Sequence, residues 1–322
     1  MPFPLVSILL PTWNGADTLV ELLPMLARQD YPGEVRVHAF DSGSVDETLA
    51  LLEQHGVDVL HIDQREFSHG GTRNQIAARA RGKYFVFLSQ DVVPRDETFL
   101  RLLLEPFSDG RVAGTSARVL PYPESDPLTA RTVLDLPEAD ERSFVRDLDV
   151  IGPVWAVDAP TRVEYLRFNN VASAVRAEVF EKYPFPEVEF GEDFAWAARV
   201  LTAGYRIAYT ARSVVYHGHH YSPSEAYRRY RVDAAFHRAA HGWNIRPNLL
   251  SVARGIAFEL IADLAHVRGN RWVGAKYLLR APALRAAQVW GQYRGAKHAA
   301  ILDPSSALPK QADRPRRPNA AT

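Results

Sequence analysis

The first 90 residues alternate four short apolar segments with three segments of helical periodicity, and this alternation restricts the possible folds most strongly. Unbroken apolar runs are typical of strands buried on both faces, whereas leucines spaced three and four residues apart are typical of amphipathic helices. The alternation therefore predicts an α/β fold built on a doubly wound, mostly parallel sheet. The predicted strands are 6–10, 35–40, 57–62 and 84–88, and the predicted helices are 17–29, 46–55 and 72–81.

Polar and small residues follow three of these strands, in the segments 12–15, 41–44 and 89–91. Parallel strands bring their carboxyl ends to one edge of the sheet, where ligands of such folds bind. We therefore expect these three segments to meet at one binding site.

The second half of the chain predicts a helix at 192–203, strands at 205–209 and 214–216, and helices throughout after Tyr221. We expect a catalytic domain at 1–220, a basic helical extension at 221–302 and a disordered tail at 303–322. The tail is rich in proline, serine, alanine and arginine, a composition that favours disorder.

Charge is divided unevenly along the chain, although its formal net charge is zero. Residues 1–220 carry 32 Asp and Glu against 21 Lys and Arg, whereas residues 221–300 carry 13 Lys and Arg against four Asp and Glu. The acidic part would repel a phosphate backbone, so we expect no nucleic-acid partner. The chain has no cysteine, which excludes disulfides, thiolate metal sites and a thiol nucleophile.

No signal peptide is recognisable at the amino terminus, and charged residues interrupt the longest apolar stretch at 249–267. We therefore expect a cytoplasmic protein. The basic helices suggest peripheral contact with the inner face of the membrane, where each basic residue near anionic lipid contributes about 1 kcal/mol. An ordinary helical cap with solvated arginines, or a homo-oligomer interface, would also explain them.

Two acidic residues at strand ends are candidates for binding chemistry. Asp91 could hold Mg²⁺ or Mn²⁺ against a diphosphate, and a turn acid before Pro94 is the alternative. Asp41 could accept a hydrogen bond from the N3–H of uracil or thymine, and an Asx-type turn is the alternative.

Three later motifs add further candidates. The segment 67–74 contains two glycines and Arg73 at a helix start, which favours anion binding. Asp193, within Gly-Glu-Asp, is either a helix-capping acid or a general base for an attacking hydroxyl. His217 begins a run with three histidines and is either a metal ligand or part of a surface patch.

In their order along the chain, these motifs resemble those of inverting family 2 glycosyltransferases, specifically the rhamnosyltransferase-like group. The resemblance extends from about Val6 to Ser222 and includes Pro-Thr-Trp-Asn, Asp-Ser-Gly-Ser, His-Gly-Gly-Thr-Arg-Asn, Ser-Gln-Asp, Gly-Glu-Asp and His-x-His. It implies a GT-A nucleotide-diphospho-sugar transferase fold with a C-terminal helical extension. Ser89 departs from the family's Asp-x-Asp motif, which puts one anionic metal ligand in doubt.

The resemblance also implies a role for each matching residue. Asp193 would be the catalytic base, and Asp91 with His217 would hold Mg²⁺ or Mn²⁺. The remaining site residues form two groups. The nucleotide-sugar group is Pro11, Thr12, Asn14, Asp41, Arg73, Gln90 and Asp91, and the acceptor-side group is Asn170, Glu192 and Trp196.

The Gln90-Asp91 turn favours dTDP-rhamnose as donor and a bacterial glycan or lipid-linked glycan as acceptor. A family member that uses a UDP-sugar is an alternative, and a non-catalytic glycan-binding or scaffold protein with the same fold is another. A nucleotidyltransferase would also use an α/β nucleotide fold. It would need a basic residue in a glycine-rich loop after the first strand, whereas no Lys or Arg precedes Arg28.

Overall fold

The computed structural model describes residues 3–188, 190–269 and 275–299. The tail expected at 303–322 lies outside these residues. The strands are β1 Val6–Thr12, β2 Val35–Asp41, β3 Asp58–His61, β4 Tyr84–Leu88, β5 Val93–Pro94, β6 Val112–Leu120, β7 Phe144–Arg146, β8 Ala172–Arg176 and β9 Arg206–Tyr216.

Twelve α-helices lie within the described part of the chain, together with short 3₁₀ turns. The helices are α1 Ala16–Ala27, α2 Thr48–Gln54, α3 His69–Arg79, α4 Phe99–Leu104, α5 Pro127–Leu134, α6 Leu148–Ile151, α7 Ala159–Leu166, α8 Ala177–Lys182, α9 Glu192–Thr202, α10 Pro223–His241, α11 Leu249–Gly269 and α12 Ala281–His298. The 3₁₀ turns are Gln64–Glu66, Glu105–Ser108, Pro137–Ala139, Val154–Ala156 and Ala275–Leu279.

The strands form one sheet in the order β3-β2-β1-β4-β8-β6-β9-β5, and β7 pairs with β9. The first four strands run parallel, which confirms the doubly wound arrangement predicted from the first 90 residues. Beyond β4 the sheet is mixed, because β8 runs antiparallel to both β4 and β6, whereas β6 and β9 are parallel. The α/β fold class predicted from the sequence is confirmed.

Alternate residues of the central strands face opposite sides of the sheet and fill two apolar layers. In β1, Ile8 packs with leucines of α1 and α4, while Leu9 packs with Phe87, Phe180 and Trp196 on the other side. Period-two alternation between two buried faces explains why these strands are apolar throughout.

Two features of the chain after residue 90 differ from the sequence analysis. Strand β6 was not predicted, because Gly114, Thr115 and Ser116 interrupt its apolar pattern. The ring of Trp196 packs over Gly114, and a Cβ there would lie 2.7 Å from that ring, so the close packing requires a glycine. The strands expected at 205–209 and 214–216 form one strand, β9. Its pairing with β6 shifts register near the centre of the strand.

The helices after Tyr221 pack onto α5 through a buried group of charges, here called the ionic network: Arg131, Glu259, Asp263 and Arg285. The carboxylate of Asp263 is fully buried and accepts hydrogen bonds from Arg131 Nε at 2.6 Å and from Arg285 Nε and Nη2, each at 2.8 Å. Arg131 also donates to Glu259. Removing one partner of such a buried pair costs about 3–5 kcal/mol, so the network fixes α11 and α12 against α5.

Within the described ranges, none of the helices combines the length and the apolar character needed to cross a bilayer.

Candidate active site

A cavity of about 870 Å³ opens at the carboxyl ends of the central strands. Its lining includes residues after β1 and β4, residues at the start of α9, and residues of α10 and α12. Its position agrees with the strand-end site expected from the sequence.

Three side chains at the end of β4 and just after β9 form a metal-ligand cluster: Asp91, His217 and His219. Their candidate ligand atoms all lie within 4.8 Å of one another. Asp91 Oδ2 is 3.4 Å from His217 Nε2 and 3.5 Å from His219 Nε2. Burial works to raise the pKa of Asp91, but the hydrogen bond from His217 and the charges of both histidines outweigh it and lower that pKa.

One carboxylate and two imidazoles form a nitrogen and oxygen donor set that suits a divalent transition metal such as Mn²⁺. His219 was not among the predicted ligands. The His-x-His spacing was a usable signal, because residues two apart in extended chain project to the same side. The backbone N–H of His217 donates to Leu120 O at 2.8 Å, which continues the strand pairing up to this point.

Asp193 lies at the start of α9 and lines the cavity. Its Oδ1 accepts the backbone N–H of Phe194 at 2.8 Å. Burial and the neighbouring charge of Glu192 raise the pKa of Asp193 to about 7, against the lowering effect of Arg73 and of the backbone hydrogen bond. A carboxyl group with that pKa can exchange a proton near neutral pH.

Glycine is required at position 191, directly before α9. Its φ is +80°, and a Cβ there would lie 2.2 Å from the ring of Phe236 on α10. The left-handed backbone and the contact with α10 together set where Asp193 enters the cavity.

Glu192 is buried and accepts hydrogen bonds from Arg73 Nη1 at 3.2 Å and Asn170 Nδ2 at 3.3 Å. Asn170 is held in turn by Ser173, whose hydroxyl donates to Asn170 Oδ1 at 3.1 Å. Arg73 thus pairs with Glu192 instead of presenting a free cation to a phosphate. Arg73, Asn170 and Glu192 line the cavity together with Asp193.

The residues after β1 and β2 differ from the sequence prediction. Asp41 is fully buried, and its Oδ1 accepts the backbone N–H groups of Gly43 at 3.0 Å and Ser44 at 2.9 Å, while Thr12 donates to its Oδ2 at 3.1 Å. Asp41 thus forms an Asx-type turn, and it is not among the residues that line the cavity. Asn14 is not among them either, and its Oδ1 accepts the backbone N–H of Val45 at 2.9 Å.

Gln90 and Trp13 form an exposed unit at the cavity edge. The backbone N–H of Trp13 donates to Gln90 Oε1 at 2.7 Å, and Gln90 Nε2 donates to the backbone carbonyl of Trp13 at 2.9 Å. The Trp13 side chain is 48% exposed and lines the cavity. It was missed as a candidate, although an aromatic residue in a loop that follows a strand is a recognisable signal for base stacking.

The prediction of Trp196 as an acceptor-side residue was wrong. Its ring is fully buried against Phe168 and Phe185, and its Nε1 donates to the Tyr183 carbonyl at 2.7 Å. Trp196 is therefore a core residue, and it is not among the residues that line the cavity.

The cavity gathers most of the predicted residues, and also residues that the sequence did not indicate. The predicted residues that line it are Pro11, Thr12, Arg73, Gln90, Asp91, Asn170, Glu192, Asp193 and His217. The chain after Tyr221 adds unpredicted wall residues from α10, from the loop after it and from α12, among them Arg229, Tyr230, Asp233, Trp243, Gln288 and Gln292.

Comparison with known proteins places this geometry in context. Residues 7–155 match the model of glycosyl transferase family 2. The chain is 32% identical to the O-antigen chain rhamnosyltransferase RfbN of Salmonella typhimurium (strain LT2) over 242 residues, 72% of each chain. It is also 32% identical to the O-antigen chain rhamnosyltransferase WbaN of Salmonella anatum over 245 residues, 74% of each chain.

Two solved structures share the fold at low sequence identity. The mannosyltransferase PcManGT of Pyrobaculum calidifontis, solved with GDP-Man and Mn²⁺, has a TM-score of 0.57 at 18% identity, covering 91% of this chain and 87% of that one. Residues 1–349 of S. aureus TarS give a TM-score of 0.53 at 17% identity, covering 92% of this chain and 90% of that one.

Proposed function

Because this chain belongs to glycosyl transferase family 2, we propose that it transfers L-rhamnose from dTDP-rhamnose to a hydroxyl of a bacterial glycan or glycolipid. The observation that carries the proposal is the 32% identity to two O-antigen chain rhamnosyltransferases across more than 70% of each chain. The cavity supports it, since an acid with a raised pKa and a cluster of metal ligands share one space.

In the proposed mechanism, Asp193 takes the proton of the acceptor hydroxyl as that oxygen attacks the anomeric carbon. The new carbon–oxygen bond forms on the face opposite the departing dTDP, whose bond to the sugar breaks in the same step, and the configuration inverts. A general base of this kind typically contributes about 10²–10⁴-fold to the rate. Burial, together with the charge of Glu192, keeps the pKa of Asp193 near neutrality, and Arg73 with Asn170 holds Glu192 in place.

Asp91, His217 and His219 would hold a divalent cation, for which Mn²⁺ or Mg²⁺ is proposed. When bound, the cation would supply positive charge to the diphosphate of the donor. The donor set compensates for Ser89, since the two histidines provide ligands where the family's first acid is missing.

The proposed donor is tested by a screen with dTDP-rhamnose, UDP-glucose, UDP-GlcNAc and GDP-mannose. We expect Mn²⁺-dependent release of nucleotide diphosphate with dTDP-rhamnose and little release with the other three. Product dTDP is measured with a coupled assay that detects all nucleoside diphosphates equally, and the Asp193→Asn variant is the control for background hydrolysis.

Release from a UDP-sugar alone would replace the rhamnose assignment with the alternative of a UDP-sugar transferase. Binding of a nucleotide sugar without turnover on any acceptor glycan would favour the non-catalytic alternative.

We further propose that residues 1–220 form the catalytic domain and that the helical extension contacts the inner face of the membrane. The outward face of α11 carries an exposed apolar stripe, with Leu250 57%, Phe258 65% and Ile261 68% exposed. Arg254 and Arg268 are also exposed on this helix. An apolar stripe bordered by arginines is typical of a helix that lies in an anionic membrane surface.

Replacing Phe258 and Ile261 together by serine is expected to lower binding to anionic vesicles at least about tenfold, because each side chain contributes roughly 1.5–3 kcal/mol when buried. Sedimentation with phosphatidylglycerol vesicles measures the effect. The difference from binding to neutral phosphatidylcholine vesicles gives the electrostatic contribution. Val150→Ser removes an equally exposed apolar side chain on α6 and should leave sedimentation unchanged. A wild-type dimer that the double variant converts to a monomer, without vesicle binding, would instead assign this face to a homo-oligomer.

A further inference from the structure

Four arginines line the cavity, and they differ in whether a carboxylate neutralises them. Three are paired: Arg73 with Glu192 at 3.2 Å, Arg167 with Glu138 at 2.9 Å, and Arg285 with Asp263 at 2.8 Å. The fourth, Arg229, has no carboxylate within 4 Å among the residues described. Among the described cavity arginines, Arg229 is thus the one without an ion pair, although its charge acts on the carboxylate of Asp233 one turn further along α10.

Arg229 comes from the helical extension, in the second turn of α10. The start of α10 is fixed by a capping box, in which Ser222 and Glu225 bond each other's backbone N–H groups. The guanidinium of Arg229 lies 5.0 Å from the ring centroid of Phe190, in the loop before α9. Stacking on this ring limits the orientations of the guanidinium before any ligand arrives, which lowers the entropic cost of binding.

Arg229 lines the same cavity as the metal-ligand cluster formed by Asp91, His217 and His219. The guanidinium and a cation held by that cluster would therefore border the same space, in which one anionic ligand can contact both.

We propose that Arg229 binds the diphosphate of the nucleotide-sugar donor and stabilises the nucleoside diphosphate as it departs. This inference rests on the proposed function, since it names a residue of the same donor site. A guanidinium can donate two parallel hydrogen bonds to phosphate oxygens, which an ammonium group cannot do. The role that the sequence suggested for Arg73 thus passes to Arg229, because Arg73 is already bound to Glu192.

The experiment compares Arg229→Gln with Arg228→Gln by calorimetric titration of dTDP in the presence of Mn²⁺. Arg228 is the adjacent exposed arginine of α10, and it lines a separate groove between α10 and α12. We expect Arg229→Gln to weaken dTDP binding on the order of 10–100-fold, as for loss of hydrogen bonds to a charged group. Arg228→Gln should remain within about twofold of the wild type, and Arg229→Lys should recover part of the loss.

A wild-type dTDP affinity in Arg229→Gln would overturn the inference. UDP and GDP are titrated in parallel so that the two proposals can fail separately. If the wild type prefers UDP, the rhamnose donor is wrong, and the Arg229 inference then requires the same 10–100-fold loss with UDP. If the wild type binds none of the three diphosphates, both proposals are overturned. Thermal unfolding of both variants controls for folding, and Arg229→Lys carries the test if Arg229→Gln unfolds at a lower temperature.

Discussion

The Asp193→Asn variant is expected to form product about 10²–10⁴-fold more slowly than the wild type while binding dTDP with unchanged affinity. Asparagine keeps the size and the backbone hydrogen bond of the side chain but cannot take a proton from the acceptor. Because Asp193 is assigned to the acceptor step, the loss should appear in kcat and not in nucleotide binding. Single-turnover transfer and dTDP titration measure the two quantities separately.

The same residue predicts how activity depends on pH. Its pKa is raised to about 7, and the base works only when ionised, so kcat should fall as the pH drops below 7 and reach a plateau above about 8. Glu192→Gln removes a negative neighbour that helps to raise this pKa, so the acid limb should move to lower pH in that variant.

Asp17→Asn is the matched control, since Asp17 is an exposed carboxylate of α1 outside the cavity. It should leave both the rate and the pH profile unchanged. Turnover of Asp193→Asn within a few-fold of the wild type on the correct acceptor would remove Asp193 from the mechanism.

Removing the divalent cation is the second change with a large expected effect. Chelation with EDTA, or the substitution Asp91→Asn, should lower turnover roughly 10²–10³-fold, because a metal ion contributes several kcal/mol to stabilising charge on the leaving group. Added Mn²⁺ should restore the chelated wild type fully. The Asp91→Asn variant should stay impaired, since the carboxylate of the Asp91, His217 and His219 cluster is lost.

The two histidines of the cluster provide a graded test. His217→Asn and His219→Asn each keep Asp91, so each should need a higher Mn²⁺ concentration for half-maximal activity and still approach the wild-type rate at saturation. Undiminished activity both after chelation and in Asp91→Asn would contradict the metal assignment.

The sequence predicted the strands and helices of the first 90 residues well, because each of these elements is specified by its own local pattern. Buried strands such as Tyr84–Leu88 are apolar on both faces, and the residues that follow them are held at one edge by parallel pairing. For this reason Asp91 and Gln90 were placed in the cavity without coordinates. Strand β6 lacks such a pattern. Its Gly114 is required by the Trp196 ring, which lies some 80 positions later in the chain, and a contact of that kind cannot be read from neighbouring residues.

The errors within the site have the same origin. Asp41 follows a strand just as Asp91 does, but its neighbours Gly43 and Ser44 fold back on it and bury its carboxylate. Arg229 lines the cavity from α10 and Trp243 from the loop after it, and the local sequence pattern of neither segment shows a relation to the sheet. Local sequence thus indicates where a strand end lies, whereas the partners of its side chains depend on packing between distant segments.

The ionic network also bears on how the protein matures during synthesis. Arg131 on α5 is separated by 132 positions from Asp263, the acid that neutralises it, and Arg285 is made later still. During synthesis Arg131 can pair early with Asp135, four residues on, but its buried pairs with Glu259 and Asp263 can form only after α11 has emerged from the ribosome. We expect α5 to take its final position in the cavity wall only then, so that an unfinished chain cannot retain a nucleotide.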